Sequence, residues 1–187
     1  MDLNLGEKEN KMEIYKEPVI ETERLILRPI VITDLDDVFE WNSDPKVNEF
    51  MSYCLVSDKI ETKKYIESLV NNEKLWTWGV IEKNSGEMIG SIGIGVNKFK
   101  SDYFGFAYNF KQKSWGKGYA SETVTTIVKY MIHERGIKKF IAYHDISNPA
   151  SGRVIEKAGL KYAYDGEYYK LDGSKTFQAK FYTLELD

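Results

Sequence analysis

The chain has 187 residues, 42% hydrophobic, 14% aromatic and 29% charged, a balance that fits one ordinary globular domain and excludes a disordered or fibrous chain. A formal net charge of -3 offers no basic field to a phosphate backbone or an anionic lipid surface, so no nucleic-acid and no membrane partner is expected. Cys54 is the single cysteine, which excludes a disulfide framework or a cysteine-rich zinc site and fits a reducing, cytoplasmic compartment.

Residues 1–17 mix charges with isolated apolar residues and lack the apolar run of a signal peptide, so they read as a flexible N-terminal tail ahead of one domain over 18–187. No run approaches the roughly 20 apolar residues that cross a bilayer. Arg24 to Ile30 reads as a short strand closed by Pro29, and Thr33 opens a helix with Leu35, Val38 and Phe39 on one side. Asp44-Pro45 breaks the pattern; a second helix follows from Asp58 to Asn72, with Ile66, Leu69 and Val70 on one face. Leu75 to Ile81 and Glu87 to Val96 form a hairpin about Asn84-Ser85-Gly86, and Asp102 to Asn109 makes another strand. Trp76 and Trp78 share one strand face, a pattern of core packing.

The strongest helical pattern runs from Tyr119 to Glu134, where Val124, Ile127, Val128, Met131 and Ile132 recur at helical spacing and Gly136 supplies the stop. A strand at Lys138 to His144 follows, then a helix capped by Asn148 with Pro149 at its first position and Gly159 at its end. Leu160 to Lys170 and Thr176 to Leu186 close the chain as strands around Asp172-Gly173. The order predicts an α/β fold of the α+β type: a mixed, mostly antiparallel central sheet with helices inserted.

Chemistry concentrates between Phe104 and Glu122, where a strand, a Gly-x-Gly turn and a helix start succeed one another. Gly116 and Gly118 let backbone amides approach an anion, and the helix aims its free amides and positive dipole end at the same point. A glycine pair alone fits a plain strand-to-helix corner equally well. Lys111 stands where a Walker A loop has its first glycine, and Lys117 is followed by Gly118 rather than Ser or Thr, so a nucleoside triphosphatase is excluded. Gly90-Ser-Ile-Gly-Ile-Gly95 has neither the spacing nor the following helix of a dinucleotide fingerprint.

Lys113-Ser-Trp-Gly116-Lys-Gly118, continued by Tyr-Ala-Ser-Glu122, resembles the pyrophosphate loop of the GNAT acetyltransferases in its RimJ/RimL-like form, with Lys113 in place of Arg or Gln. Asn148-Pro-Ala-Ser151-Gly-Arg-Val-Ile-Glu-Lys157-Ala-Gly159-Leu160 is similar to that branch's second motif, with Leu160 for Phe, and Glu21 to Pro29 matches its opening strand. The resemblance implies a single GNAT-like domain, helices on both sheet faces, acetyl-CoA as cosubstrate and no metal. It implies backbone contacts to the pyrophosphate from Lys113, Ser114, Trp115, Gly116, Lys117, Gly118, Tyr119 and Ala120. Phe106, Ala107 and Tyr108 would pair with the pantetheine arm, and Asn148 and Ser151 would hold it from the other side.

The acceptor implied is a small-molecule amine or a protein N-terminus, attacking directly in a ternary complex, in a monomer or homodimer. Candidate acid–base residues are Tyr108, Tyr143 and His144; strand alternation puts one of the last two in the cleft. Ile155 stands where many relatives carry a tyrosine acid. Cys54 is not needed as a nucleophile and reads as a small, buried or half-buried hydrophobe. A CoA-binding regulatory domain without turnover is the alternative, and a plain nucleotide-phosphate binder ranks last.

Overall fold

Among the described residues, alternating apolar positions build eight strands into one sheet, and four helices cover its two faces. The computed structural model describes residues 17–98 and 100–187; of the tail expected at 1–17, all but Glu17 lies outside the described residues. Glu17 is anchored, its carboxylate accepting from the Thr77 amide at 3.0 Å. The strands are β1 (Ile20–Glu21), β2 (Leu25–Pro29), β3 (Leu75–Glu82), β4 (Met88–Val96), β5 (Phe104–Phe110), β6 (Lys139–Asp145), β7 (Lys161–Tyr169) and β8 (Thr176–Glu185). Their spatial order is β1-β2-β3-β4-β5-β6-β8-β7.

Every neighbouring pair is antiparallel except β5 and β6. A parallel pair needs a long crossover, and helix α3 (Tyr119–Arg135) provides it. Helices α1 (Leu35–Asn42) and α2 (Lys59–Val70) lie on one face, where Val38, Trp41 and Ile66 bury against Ile30 and Met88. Helices α3 and α4 (Pro149–Lys157) lie on the other, with Val124, Ile127, Met131 and Ile155 packed on Leu27, Trp78, Ile92 and Phe140. Trp78 is fully buried and its indole donates to the Pro18 carbonyl at 2.9 Å, so the expected core role holds. No helix among the described residues is long and apolar enough to cross a membrane.

Local details differ from the sequence reading for physical reasons. Thr33 caps nothing: Ile32–Asp34 form a 3-10 turn, and Asp34, 5% exposed, accepts from the Val31 amide and takes both Arg28 guanidinium nitrogens at 2.6 and 2.8 Å. In α2, Asp58 is the cap, accepting from the Glu61 amide at 2.8 Å, but Val70 is exposed while Ile66 is buried. β5 begins at Phe104, which leaves Asp102 outside it in an ion pair with Lys139 at 2.9 Å. Cys54 is exposed rather than buried, beside Asp172, whose carboxylate bonds the thiol and pushes its pKa up.

One buried cation ties these layers together. Lys111, just past β5 and 3% exposed, reaches Asp37 and Glu40 of α1 at 2.7 Å each and Glu87, ahead of β4, at 3.0 Å. Burial works against its charge, yet the three carboxylates outweigh that cost and hold its pKa above the ordinary lysine range. Lys113 and then Lys111 keep the Glu87 carboxyl below its usual range. Lys111→Met would leave three carboxylates facing one another; with hydrogen bonds to charged groups contributing about 2 kcal/mol, it should lower the melting temperature by about 6 °C at neutral pH. In thermal denaturation across pH, that deficit should shrink as acid protonates the carboxylates.

Candidate active site

The middle of the sheet carries large side chains on one face and small ones on the other. On the α3 face, Ile92 and Ile94 of β4 sit opposite Tyr108 and Phe106 of β5. On the α2 face, Ser91, Gly93 and Gly95 sit opposite Asn109, Ala107 and Gly105. The missing side-chain volume leaves a cavity of about 380 Å³, walled by Tyr53, Tyr65, Leu69, Thr77 and Tyr143. A hydrogen-bonded chain crosses it: Ser91 Oγ donates to Asn109 Oδ1 at 2.8 Å, and Asn109 Nδ2 donates to Tyr53 Oη at 2.7 Å. Thr77 Oγ1, in the wall, is buried with no hydrogen-bond partner among the described residues.

β5 and β6 pair only at Phe104↔Phe140 and Gly105↔Ile141 and then diverge. β5 remains paired with β4 along its whole length, so its other edge is released from the ladder beyond Gly105. Helix α4 begins across the gap, where Ser151 Oγ meets Tyr108 Oη at 2.9 Å. Burial pushes the Tyr108 pKa up to about 12, with Ser151 working weakly against it. Asn148 uses its side-chain oxygen as the α4 cap, accepting from the Ser151 amide at 3.2 Å.

Strand parity divides the two β6 candidates. Tyr143 lines the cavity, and burial raises its pKa, with a hydrogen bond to Ser52 opposing. His144, 7% exposed, lies on the α4 side with Nε2 3.3 Å from Tyr182 Oη and Nδ1 2.7 Å from the Asp145 carbonyl. A Cβ at Gly152 would sit 2.6 Å from that ring, so α4 packs directly on it. The structure therefore does not bring His144 to the cavity, because β6 alternates and position 143 takes that face.

The glycine turn lies at the end of β5. Gly116 and Gly118 have φ of 74° and 84°, in the left-handed region that disfavours side chains, and nothing stands within 4 Å of a Cβ at Gly116. The Ser114 and Trp115 amides are already used, bonding the Lys111 and Gln112 carbonyls. The first bond of α3 runs from the Glu122 amide to the Gly118 carbonyl, and no side chain caps its start. The amides of the first turn thus point out of the exposed loop. Lys113 bends its ammonium to Glu87 at 2.5 Å, and Trp115 donates to the Phe110 carbonyl at 2.7 Å.

A clamp missing from the sequence reading holds this loop. Glu122, on the first turn of α3, accepts from Thr22 Oγ1 at 2.5 Å, the Arg24 amide at 3.2 Å and Arg24 Nε at 2.7 Å. Arg24 also donates to the Lys117 carbonyl at 2.9 Å and stacks on the Tyr119 ring, 4.7 Å from its centroid. The signal was present as Arg24 and Glu122 in two separate motifs. Their contact, 98 residues apart, was not legible.

Beyond Gly105, then, β5 leaves its parallel neighbour and runs on to a glycine turn and the start of α3. The profile of the acetyltransferase (GNAT) domain matches residues 24–161. The chain belongs to the GNAT acetyltransferases. It is 28% identical over 149 residues, 77% of this chain and 83% of the other, to the uncharacterized N-acetyltransferase YoaA of Bacillus subtilis. Among solved structures, a GNAT-family acetyltransferase of Bacillus anthracis superposes with a TM-score of 0.76 at 24% identity, covering 90% of this chain and 98% of that one. RimL, the ribosomal L7/L12 α-N-protein acetyltransferase solved with coenzyme A, gives 0.77 at 15% identity, covering 91% and 99%.

The tyrosines of this GNAT site set its alkaline limit. Burial raises Tyr53, Tyr65 and Tyr108, the last two to about 12. Their folded pKa values exceed the unfolded value near 10, so their stabilisation is complete below about pH 10 and is lost as pH rises toward 12. A pH series of urea unfolding should show stability falling through that window, and tyrosinate absorbance should lag behind that of free tyrosine.

Proposed function

We propose that the protein transfers the acetyl group of acetyl-CoA directly to a primary amine bound in the cavity. The observation that carries this reading is the gap that opens between β5 and β6 beyond Gly105, with the cavity against β5 and the glycine turn following the end of that strand. The residues fit the cosubstrate: open amides at a helix start suit a pyrophosphate, and a released strand edge suits the amide-bearing pantetheine arm. Gly116 to Ala120 would hold the pyrophosphate with backbone amides, Ser114 and Trp115 serving to shape the turn. Phe106 to Tyr108 would pair with the arm, and Asn148 would donate its side-chain amide from across the gap.

A backbone amide of β5 would then stabilise the thioester oxygen as negative charge develops on it. Acetyl-CoA supplies the activated acetyl group. Tyr108, kept protonated by burial, would return a proton to the departing sulfur, a task Ile155 cannot perform from its buried place in the core. Tyr143 orders the acceptor side. The acceptor is a small-molecule amine or the end of a polypeptide, and the protein acts as a monomer or homodimer without nucleic acid or membrane.

Acetyl-CoA at about 100 times its dissociation constant should add about 2.7 kcal/mol, raising the melting temperature by about 8 °C. Gly116→Glu, which sets a carboxylate among the loop amides, should abolish that rise while the protein still melts cooperatively. No rise in the wild type would end this reading. Separately, Tyr108→Phe should lower kcat about tenfold or more with little change in the acetyl-CoA KM; an unchanged kcat would assign the sulfur's proton to water.

A further inference from the structure

The cavity's own chemistry narrows the acceptor. Among the described residues lining it, none is a carboxylate or a histidine, and Lys98 is the charged side chain. A polyamine brings two or more positive charges, which such a wall leaves uncompensated. The phenols of this wall, Tyr53, Tyr65, Tyr108 and Tyr143, are all held in the protonated form by burial and take no proton at neutral pH. An amine that must arrive neutral is favoured by low basicity. At pH 7.5 roughly a quarter of an amine with pKa near 8 is neutral, against roughly a thousandth of one near 10.4, a difference on the order of 200-fold.

The hydrogen-bond direction adds a second requirement. Ser91 donates to Asn109, and Asn109 donates to Tyr53, so the chain ends on a phenol that has accepted and still has its own proton to give. Thr77 Oγ1, 7% exposed as a residue and unpartnered, adds a hydroxyl to the same wall. These donors call for uncharged oxygens on the ligand, while Leu69 and the Tyr65 ring cover an apolar portion.

Resting on the transferase reading above, we infer that the acceptor is a weakly basic primary amine, singly charged at most, on a compact body bearing carbonyl or hydroxyl oxygens. An amino-acid amide and an amino sugar share this chemistry.

The test measures CoA release and product mass with the full chain, acetyl-CoA and four probes at equal concentration: tyrosinamide, serinamide, glucosamine and spermidine. The better of the oxygen-bearing amines should exceed spermidine in kcat/KM by at least tenfold at pH 7.5. Asn109→Asp, nearly isosteric, places a carboxylate in the wall and should narrow that ratio tenfold or more. Tyr53→Phe should raise KM for the preferred amine about tenfold and leave the acetyl-CoA KM unmoved. Spermidine equal to or better than the others, or no acetylated product from any oxygen-bearing amine while acetyl-CoA still raises the melting temperature, overturns this inference and spares the transferase. Absence of the acetyl-CoA rise itself overturns both.

Discussion

β5 is hydrogen-bonded along one edge and released along most of the other, and the rest of the molecule is arranged around that asymmetry. Backbone N–H and C=O groups inside a protein need partners, and a strand in mid-sheet normally finds them on both sides. Here β6 supplies two register positions and turns away. The gap stays open because its two sides are tied to different supports. Lys111 fixes the end of β5 to α1 and to the start of β4. β6 is carried along its full length by β8 and covered by α4, with Gly152 against His144. In the proposed function, an arm containing amide groups would complete the ladder that the protein leaves unfinished.

The two faces of the same strands divide the labour. Bulky Ile92, Ile94, Phe106 and Tyr108 build the core under α3, and the intervening positions are reduced to Ser, Gly, Ala and Asn. A cavity made by omission keeps its shape because the floor is backbone, paired strand to strand, rather than side chains that could collapse into it. The cost is borne by the core on the far face, where Trp78 and the α3 residues supply the burial that the α2 face gives up.

Much of this was legible in the sequence. The helix at Tyr119–Arg135 followed from its periodicity, and the α4 cap from Asn148-Pro149. The glycine turn was visible as a motif, although the engagement of Ser114 and Trp115 in its 3-10 turn was not. Phe104-Gly-Phe-Ala-Tyr-Asn-Phe110 and Met88-Ile-Gly-Ser-Ile-Gly-Ile-Gly-Val96 read only as strands; that their small residues line up across the pair and leave a hollow follows from the register of β4 against β5. What remained hidden depended on contacts between distant segments. Period-2 logic said that Tyr143 and His144 face opposite ways, but only the packing of α4 showed which way each faces. Lys111 entered the sequence reading only as the residue that rules out a Walker A loop, because its three acidic partners come from α1 and the segment ahead of β4.

That the wall holds phenols and amides rather than a carboxylate and an imidazole bears on how such a site accelerates its reaction. A thioester is already activated toward an amine, so the barrier left to the protein is mostly one of encounter, orientation and removal of water around the nucleophile. Donors fixed by the Ser91–Asn109–Tyr53 chain would orient the proposed neutral acceptor without reorganising as it reacted. A buried carboxylate would bind the protonated amine more tightly and so stabilise the form that cannot attack. Leaving it out weakens ground-state binding of the ammonium and keeps the nucleophilic form within reach, which is the more useful difference when only the transition state counts.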